Sequence, residues 1–226
     1  MKNDSHDLEI IDLGVVGYDA CKNLQLEMVQ ERLAEKIPDR LLFVSHPPVI
    51  TTGKRSGAQD LLSTPEELLK REIHIVGTDR GGKTTFHGPG QLVAYPILML
   101  KKRDIHAYVH NLLHVLLFAL GDYGLNGELR RGNPGVWIEG RKIASLGIAV
   151  KKWVTYHGIA LNVSPQLSNF DLIVPCGDPT QAMTSMEKEL GRSLDMNDVE
   201  ERFTHHFRAA FGYRATEKSR FVPQDR

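Results

Sequence analysis

Apolar and polar positions along the chain fall into two spacings, and these divide it into elements. Apolar residues cluster in short β-type runs at 10–13, 41–44, 73–76 and 91–99. The run at 41–44 is broken by His46-Pro47-Pro48 and resumes at 49–52. Leu24, Met28 and Leu33, with Ala20 and Ile37, recur near the helical period and predict a helix over 18–37 that stops before Pro38. Thr64 followed by Pro65 marks the start of a short helix, with Thr64 as its cap. The longest helical pattern covers 105–123, and a last one covers 197–210. Strand-like stretches at 136–138, 142–150 and 154–163 are punctuated by expected turns at Asn133-Pro134-Gly135 and Glu139-Gly140. Helices and strands mix without strict alternation. That predicts an α+β fold with a mixed, largely antiparallel sheet flanked by helices, not a doubly wound one. With no repeat or Pro/Ser-rich linker, residues 1–226 are expected to form one domain.

Composition narrows the function classes. Lys plus Arg and Asp plus Glu both number 28, so the formal net charge is zero. General nucleic-acid binding needs a strongly basic surface to displace counterions, so no nucleic-acid partner is expected. Local basic positions remain at Lys54-Arg55, Arg130-Arg131, Arg141 and Lys151-Lys152. Two cysteines rule out a disulfide framework and fit a reduced, cytoplasmic setting. The longest apolar run, 112–120, is interrupted by His114 and is too short to span a membrane. The N-terminus carries Asp4, Asp7 and Glu9 without an apolar core, unlike a signal or transit peptide.

Three tempting signals fail on physical grounds. Gly77-Thr78-Asp79-Arg80-Gly81-Gly82-Lys83-Thr84 satisfies the phosphate-loop pattern letter for letter. A phosphate loop needs a helix to follow, and Gly88-Pro89-Gly90 opposes one. His106, His110 and His114 share a helix face, but the outer pair stand roughly 12 Å apart along the axis, too far to close on one ion. A partly exposed polar stripe is expected there, a surface place for His205-His206, and no metal site. Cys21 sits inside a helical pattern, where a packing role is expected.

Two segments carry chemistry. Five glycines fall within 77–90, interleaved with Arg80, Thr84, Thr85, Phe86 and His87. Glycines let backbone approach a ligand closely, so a binding loop is favoured over a plain surface turn. Pro175-Cys176-Gly177 holds a thiol on a turn after an apolar run. Such a thiol becomes a nucleophile when a nearby base or cation helps it ionise. His87, His157 and Lys142 are the candidate helpers. Lys142 opens an apolar strand, where it is either desolvated or snorkels to water.

The segment Arg80-Gly81-Gly82-Lys83-Thr84-Thr85-Phe86-His87-Gly88-Pro89-Gly90-Gln91-Leu92-Val93-Ala94-Tyr95 resembles the signature of the octanoyl (lipoyl) transferases, and the strands 91–95 and 143–149 are expected to line the acyl pocket. Gly140-Arg141-Lys142-Ile143-Ala144-Ser145-Leu146-Gly147 and Val174-Pro175-Cys176-Gly177 resemble the family's two other signatures, and Ser45-His46-Pro47-Pro48 a common upstream feature. The likeness covers residues 10–210 and places no motif after 211. It implies the fold of the biotin and lipoate protein ligase catalytic domains. It implies transfer of an octanoyl or lipoyl group from acyl carrier protein to a lysine of lipoyl domains, through a Cys176–Lys142 dyad and without a cofactor. It also implies substrate contacts from Arg80, Gly81, Gly82, Lys83, Thr84, Thr85, Phe86 and His87, from Ser145, Leu146 and Gly147, and from Gly158, Ile159 and Ala160. The rivals are an ATP-dependent lipoate ligase of the same fold and a non-catalytic acyl-binding module. A ligase activates its acid with ATP and needs no thiol, so Cys176 separates the first rival.

Overall fold

The computed structural model describes residues 7–214 and 218–220. Strand β1 (Leu8–Val15) leads into helix α1 (Tyr18–Leu33), then β2 (Asp39–Ser45) and β3 (Val49–Thr52). Helix α2 (Pro65–Lys70), β4 (His74–Gly77), β5 (Thr85–His87), β6 (Gln91–Ile97) and α3 (Ile105–Gly121) follow. Strands β7 (Glu128–Arg130), β8 (Asn133–Ile138), β9 (Arg141–Lys151) and β10 (Val154–Asn162) form an antiparallel meander. Helices α4 (Met186–Leu190) and α5 (Met196–Phe211) and strand β11 (Lys218–Arg220) complete the described chain.

The main sheet runs β11-β1-β2-β6-β10-β9-β8-β7. Its first three strands are parallel to one another and the rest pair antiparallel. The α+β expectation with a mixed sheet holds. The chain leaves the sheet at His46-Pro47-Pro48, so β3 joins a second, three-stranded sheet in the order β4-β3-β5. That departure sets a small sheet over one part of the large one and opens the space where the site lies.

Alternation along β2 and β6 sends Leu41, Phe43, Leu92 and Ala94 to one face, against α3 and α5. Leu42, Val44, Val93 and Tyr95 go to the other, against α1. Helix α1 turns Tyr18, Cys21, Gln25, Met28 and Val29 inward at helical spacing. It ends at Leu33, short of the predicted residue 37, because the chain reverses through Glu35 at φ +55° to enter β2. There Arg32 grips Asp39 at 2.7 Å. Thr64 and Glu67 cap α2 reciprocally, as its sequence predicts.

One expected turn is displaced. Asn133, Pro134 and Gly135 lie inside β8, and the reversal before it falls at Arg131-Gly132, where Gly132 takes φ +78°. Pro134, which cannot donate to a ladder, is tolerated close to the strand's start. Past residue 211 the chain still makes contacts: the Tyr213 hydroxyl donates to Asp39 at 2.6 Å. Among the described residues, no helix is long and apolar enough to cross a membrane.

Phe203 on α5 is fully buried, edge-on to Phe43 at 6.0 Å and stacked with Phe207. Phe203→Ala should cost about 3–5 kcal/mol of stability by leaving a cavity between α5 and the sheet. A urea midpoint unchanged from wild type would contradict this.

Candidate active site

Strands β9 and β10 form the floor. Gly147 pairs with Gly158 at the middle of their ladder. A Cβ at Gly147 would come within 3.0 Å of the Gly81 carbonyl and 3.1 Å of the Arg80 side chain. One at Gly158 would overlap the Ala94 carbonyl oxygen. At Gly147 the floor is bare because the glycine-rich loop lies directly on it, with Gly81 N–H donating to Ile148 O at 2.9 Å; at Gly158 the backbone of β6 takes the space. Arg80, 6% exposed, fastens this loop to the small sheet by donating to Thr51 O at 2.8 Å and Thr51 Oγ1 at 2.7 Å. The residues after the phosphate-loop lookalike form β5, a strand, so no helix N-terminus is present to hold phosphate.

Loop and floor enclose an open cleft of about 470 Å³. Of the substrate contacts expected from the sequence, Arg80, Gly82, Lys83, Thr84, Thr85, His87, Ser145, Leu146, Gly147, Gly158, Ile159 and Ala160 line it. Lys142 lines it too. Gly81 and Phe86 do not: Gly81 is spent on the floor, and Phe86 packs edge-on to Phe170 under the small sheet. Tyr18, Tyr95 and His157 also line the cleft.

At one end lies Lys142, 1% exposed, its Nζ 4.7 Å from the centroid of the Trp137 ring. The Trp137 indole N–H donates to Gln181 Oε1 at 2.9 Å, and Arg130 lies over the same ring at 5.2 Å. A Cβ at Gly135 would stand 2.6 Å from Lys142 Cε, so the lysine's path requires glycine there. The segment after the cysteine turn is tied to the lysine's backbone. Lys142 N–H donates to Ala182 O at 2.8 Å, and Thr184 N–H to Lys142 O at 2.9 Å. The turn itself is Pro175–Gly177. Gly177 takes φ +75°, and a Cβ there would overlap the end of the Lys83 side chain. Lys83 thus crosses the cysteine turn at the cleft's mouth.

The other end is aromatic and polar. His46 donates from Nδ1 to Val16 O at 2.7 Å, leaving Nε2 to accept from the Tyr95 hydroxyl at 2.9 Å. His157 Nε2 donates to Asp79 Oδ1 at 2.9 Å, and Tyr156 donates to the other oxygen at 2.5 Å. Burial alone would raise Asp79, but these two donors hold its carboxyl at about 2. With Nε2–H given to Asp79, His157 Nδ1 is left to accept from the Tyr18 hydroxyl, 3.4 Å away. Burial holds His46 down to about 4 and pushes His87 well below the ordinary imidazole range and His157 below it. Burial raises Tyr18 to about 12, so its hydroxyl stays protonated.

Tyr95 lies in the stretch that the sequence resemblance covers, whereas Tyr18 and Asp79 carry no such signal. Tyr18 reads in the sequence only as a helix's first residue, and Asp79 as a letter of the false phosphate loop. Cys21 is fully buried, burial raises its thiol to about 12, and Gln25 is its polar neighbour, in keeping with packing. His106 and His110 are exposed, His114 is half-buried, and His206 pairs with Asp122 at 2.9 Å. Among the described residues, no group of His, Cys, Asp or Glu is arranged to hold a metal ion.

Comparison with known proteins agrees with this architecture. The family model described as lipoyl protein ligase A/B catalytic domain matches residues 18–208. An octanoyltransferase of Rubrobacter xylanophilus is 43% identical over 88% of this chain and 91% of its own length. Among solved structures, a bipartite lipoate protein ligase of Thermoplasma acidophilum superposes with a TM-score of 0.73 at 14% identity, covering 96% of this chain and 88% of that one. The biotin protein ligase of Aquifex aeolicus, with biotin and ATP, gives 0.54 at 16% identity over 91% of this chain and 70% of its own.

Three buried histidines held neutral make stability depend on pH. Their folded pKa values lie below the ordinary value of about 6.5, so below that pH the unfolded chain binds more protons. Stability should be full above about pH 6.5 and fall progressively toward about pH 4. Asp79 should add a further loss as the pH falls from about 4 toward 2. A melting temperature that stayed level from about pH 7 to about pH 4.5 would contradict this.

Proposed function

Because the chain belongs to the lipoyl protein ligase A/B catalytic domain family, and is an acyltransferase like its octanoyltransferase relatives, we propose that it moves an octanoyl or lipoyl group from acyl carrier protein to a lysine of lipoyl domains in the cytoplasm. The observation that carries this proposal is a buried lysine, Lys142, whose backbone is bonded on both sides to the segment following the Cys176 turn, at the mouth of a narrow cleft.

In the first step the Cys176 thiol gives its proton to Lys142 and attacks the carbonyl carbon of the donor thioester. A new carbon–sulfur bond forms, the bond to the carrier sulfur breaks, and that sulfur leaves with the proton from Lys142. Exchange between thioesters is nearly balanced. In the second step the acceptor lysine amine attacks the same carbon, Lys142 takes its proton, and Cys176 leaves as thiolate and is reprotonated. Amide formation from a thioester is downhill and drives the cycle. Nothing is consumed beyond the two substrates, so neither ATP nor a cofactor enters.

Small Ser145 and Ala160, paired across the floor, with the two floor glycines beyond them, suit a straight acyl chain; Leu146 and Ile159 contribute backbone there and send their side chains to the core on the sheet's other face. Arg80 is spent on Thr51 and the loop, so its role is to hold the cleft's shape.

Intact mass after mixing with octanoyl acyl carrier protein should rise by one octanoyl group, mapped to Cys176. Cys176→Ser should abolish transfer and leave no thiol to acylate. An adduct forming on that variant at the wild-type rate would defeat the covalent route. Product from ATP and free octanoate, with none from the carrier thioester, would instead mark a ligase.

A further inference from the structure

Residue 157 is a histidine at φ +56° within a central, fully buried strand. That region is sterically unfavourable for a residue with a Cβ. The strain is stabilised from two sides. The His157 N–H donates to Gln25 Oε1 of α1 at 2.8 Å, and its ring reaches Asp79 at 2.9 Å. Asp79 is further fixed by Tyr156 and by Lys22 at 3.9 Å. What this arrangement holds in place is the Tyr18 ring. Its hydroxyl meets His157 Nδ1, and it lies nearly parallel to two imidazoles, His157 at 6.4 Å and His87 at 5.8 Å.

Tyr18 sits at the end of the cleft away from the reacting groups. His157 pairs with Ile148, while the Lys142 side chain runs back to Gly135, which pairs with Ser145; its Nζ therefore stands three positions of β9, or roughly 10 Å of strand, from the His157 level, about the length of an extended eight-carbon chain. Between them the floor is Ser145 to Gly147 and Gly158 to Ala160. An acyl chain whose carbonyl lies near Lys142 would extend over this floor toward the Tyr18 ring.

We propose that Tyr18 is the stop that sets acyl-chain length, and that Asp79 and His157 are positioning residues that keep it rigid. This rests on the acyltransferase reading above and extends it to specificity. A ring held by hydrogen bonds and by two neighbouring imidazoles cannot swing aside for an extra methylene. The chain terminus must fit short of it. Breaking the Asp79–His157 contact frees the His157 ring to rotate and lets Tyr18 yield.

The test compares octanoyl and dodecanoyl carrier thioesters as donors, scoring the rate of acyl-enzyme formation by intact mass. Wild type should prefer octanoyl by about tenfold or more, since a wall discriminates strongly against added methylenes. Tyr18→Ala should raise the dodecanoyl-to-octanoyl ratio by about tenfold. Tyr18→Phe, which keeps the ring but loses the hydroxyl bond to His157, should shift the ratio by much less than Tyr18→Ala. Asp79→Ala should move the ratio in the same direction as Tyr18→Ala, by less. A merely structural role for Asp79 would slow both donors alike and leave the ratio still. If Tyr18→Ala does not fold, Tyr18→Leu takes its place. An unchanged ratio in a folded, active variant with the ring removed would overturn the proposal. If no donor acylates the wild type, the transferase reading fails. The stop is then judged by calorimetric binding of free octanoate and dodecanoate: a gain for dodecanoate on removing the ring supports it, and equal affinities before and after overturn it.

Discussion

The pairing of Gly147 with Gly158 is the contact on which the site depends. Two strands meet there without a side chain on either: the loop at Arg80 and Gly81 takes the space over Gly147, and the β6 backbone at Ala94 takes the space at Gly158. Backbone can come that close only where no Cβ intervenes. The loop's hydrogen bond to Ile148 then fixes its height above the floor. Arg80 carries the constraint outward to the small sheet through Thr51. Cleft, loop and small sheet are therefore one mechanical unit, and the cleft's width follows from a hydrogen bond rather than from packing of large side chains.

Polar burial is the counterweight. His46, His87, His157, Arg80 and Lys142 are all nearly withdrawn from water, a costly arrangement unless each polar atom finds a partner. Backbone carbonyls, Gln91, Asp79 and the Trp137 face supply those partners. A buried polar network with defined partners tolerates few alternative arrangements, which is useful where reacting atoms must be held in register. The apolar cores on both faces of the sheet provide the stability that such a network does not.

The sequence disclosed this structure unevenly. Local signals were readable: the Thr64 cap, the Glu139-Gly140 turn, the apolar runs of β2 and β6, and the packing role of Cys21. The absence of a helix after the phosphate-loop lookalike was also legible, because Gly88-Pro89-Gly90 disfavours one. Strand β5 was hidden among glycines because its pairing with β3 is supplied by tertiary contact rather than by propensity. The turn assigned to Asn133-Pro134-Gly135 failed for a similar reason: Asn133 is paired with Arg130 of β7 and Gly135 with Ser145 of β9, which holds the stretch extended. Most of the cleft lining followed from the motifs. The aromatic end did not, because Tyr18, Asp79 and His157 are 78 or more positions from their nearest partners in this set or joined only through the folded chain.

Trp137 has a consequence of its own. The chain contains two tryptophans. Trp153 sits at a hairpin turn beneath the guanidinium of Arg103. Trp137 is fully buried, bonded to Gln181 and flanked by Lys142 Nζ at 4.7 Å and the Arg130 guanidinium at 5.2 Å. Its emission therefore responds to the charge and position of the groups around Lys142. The protein carries an intrinsic optical reporter of the lysine at its cleft, so events there can be followed in the unlabelled molecule.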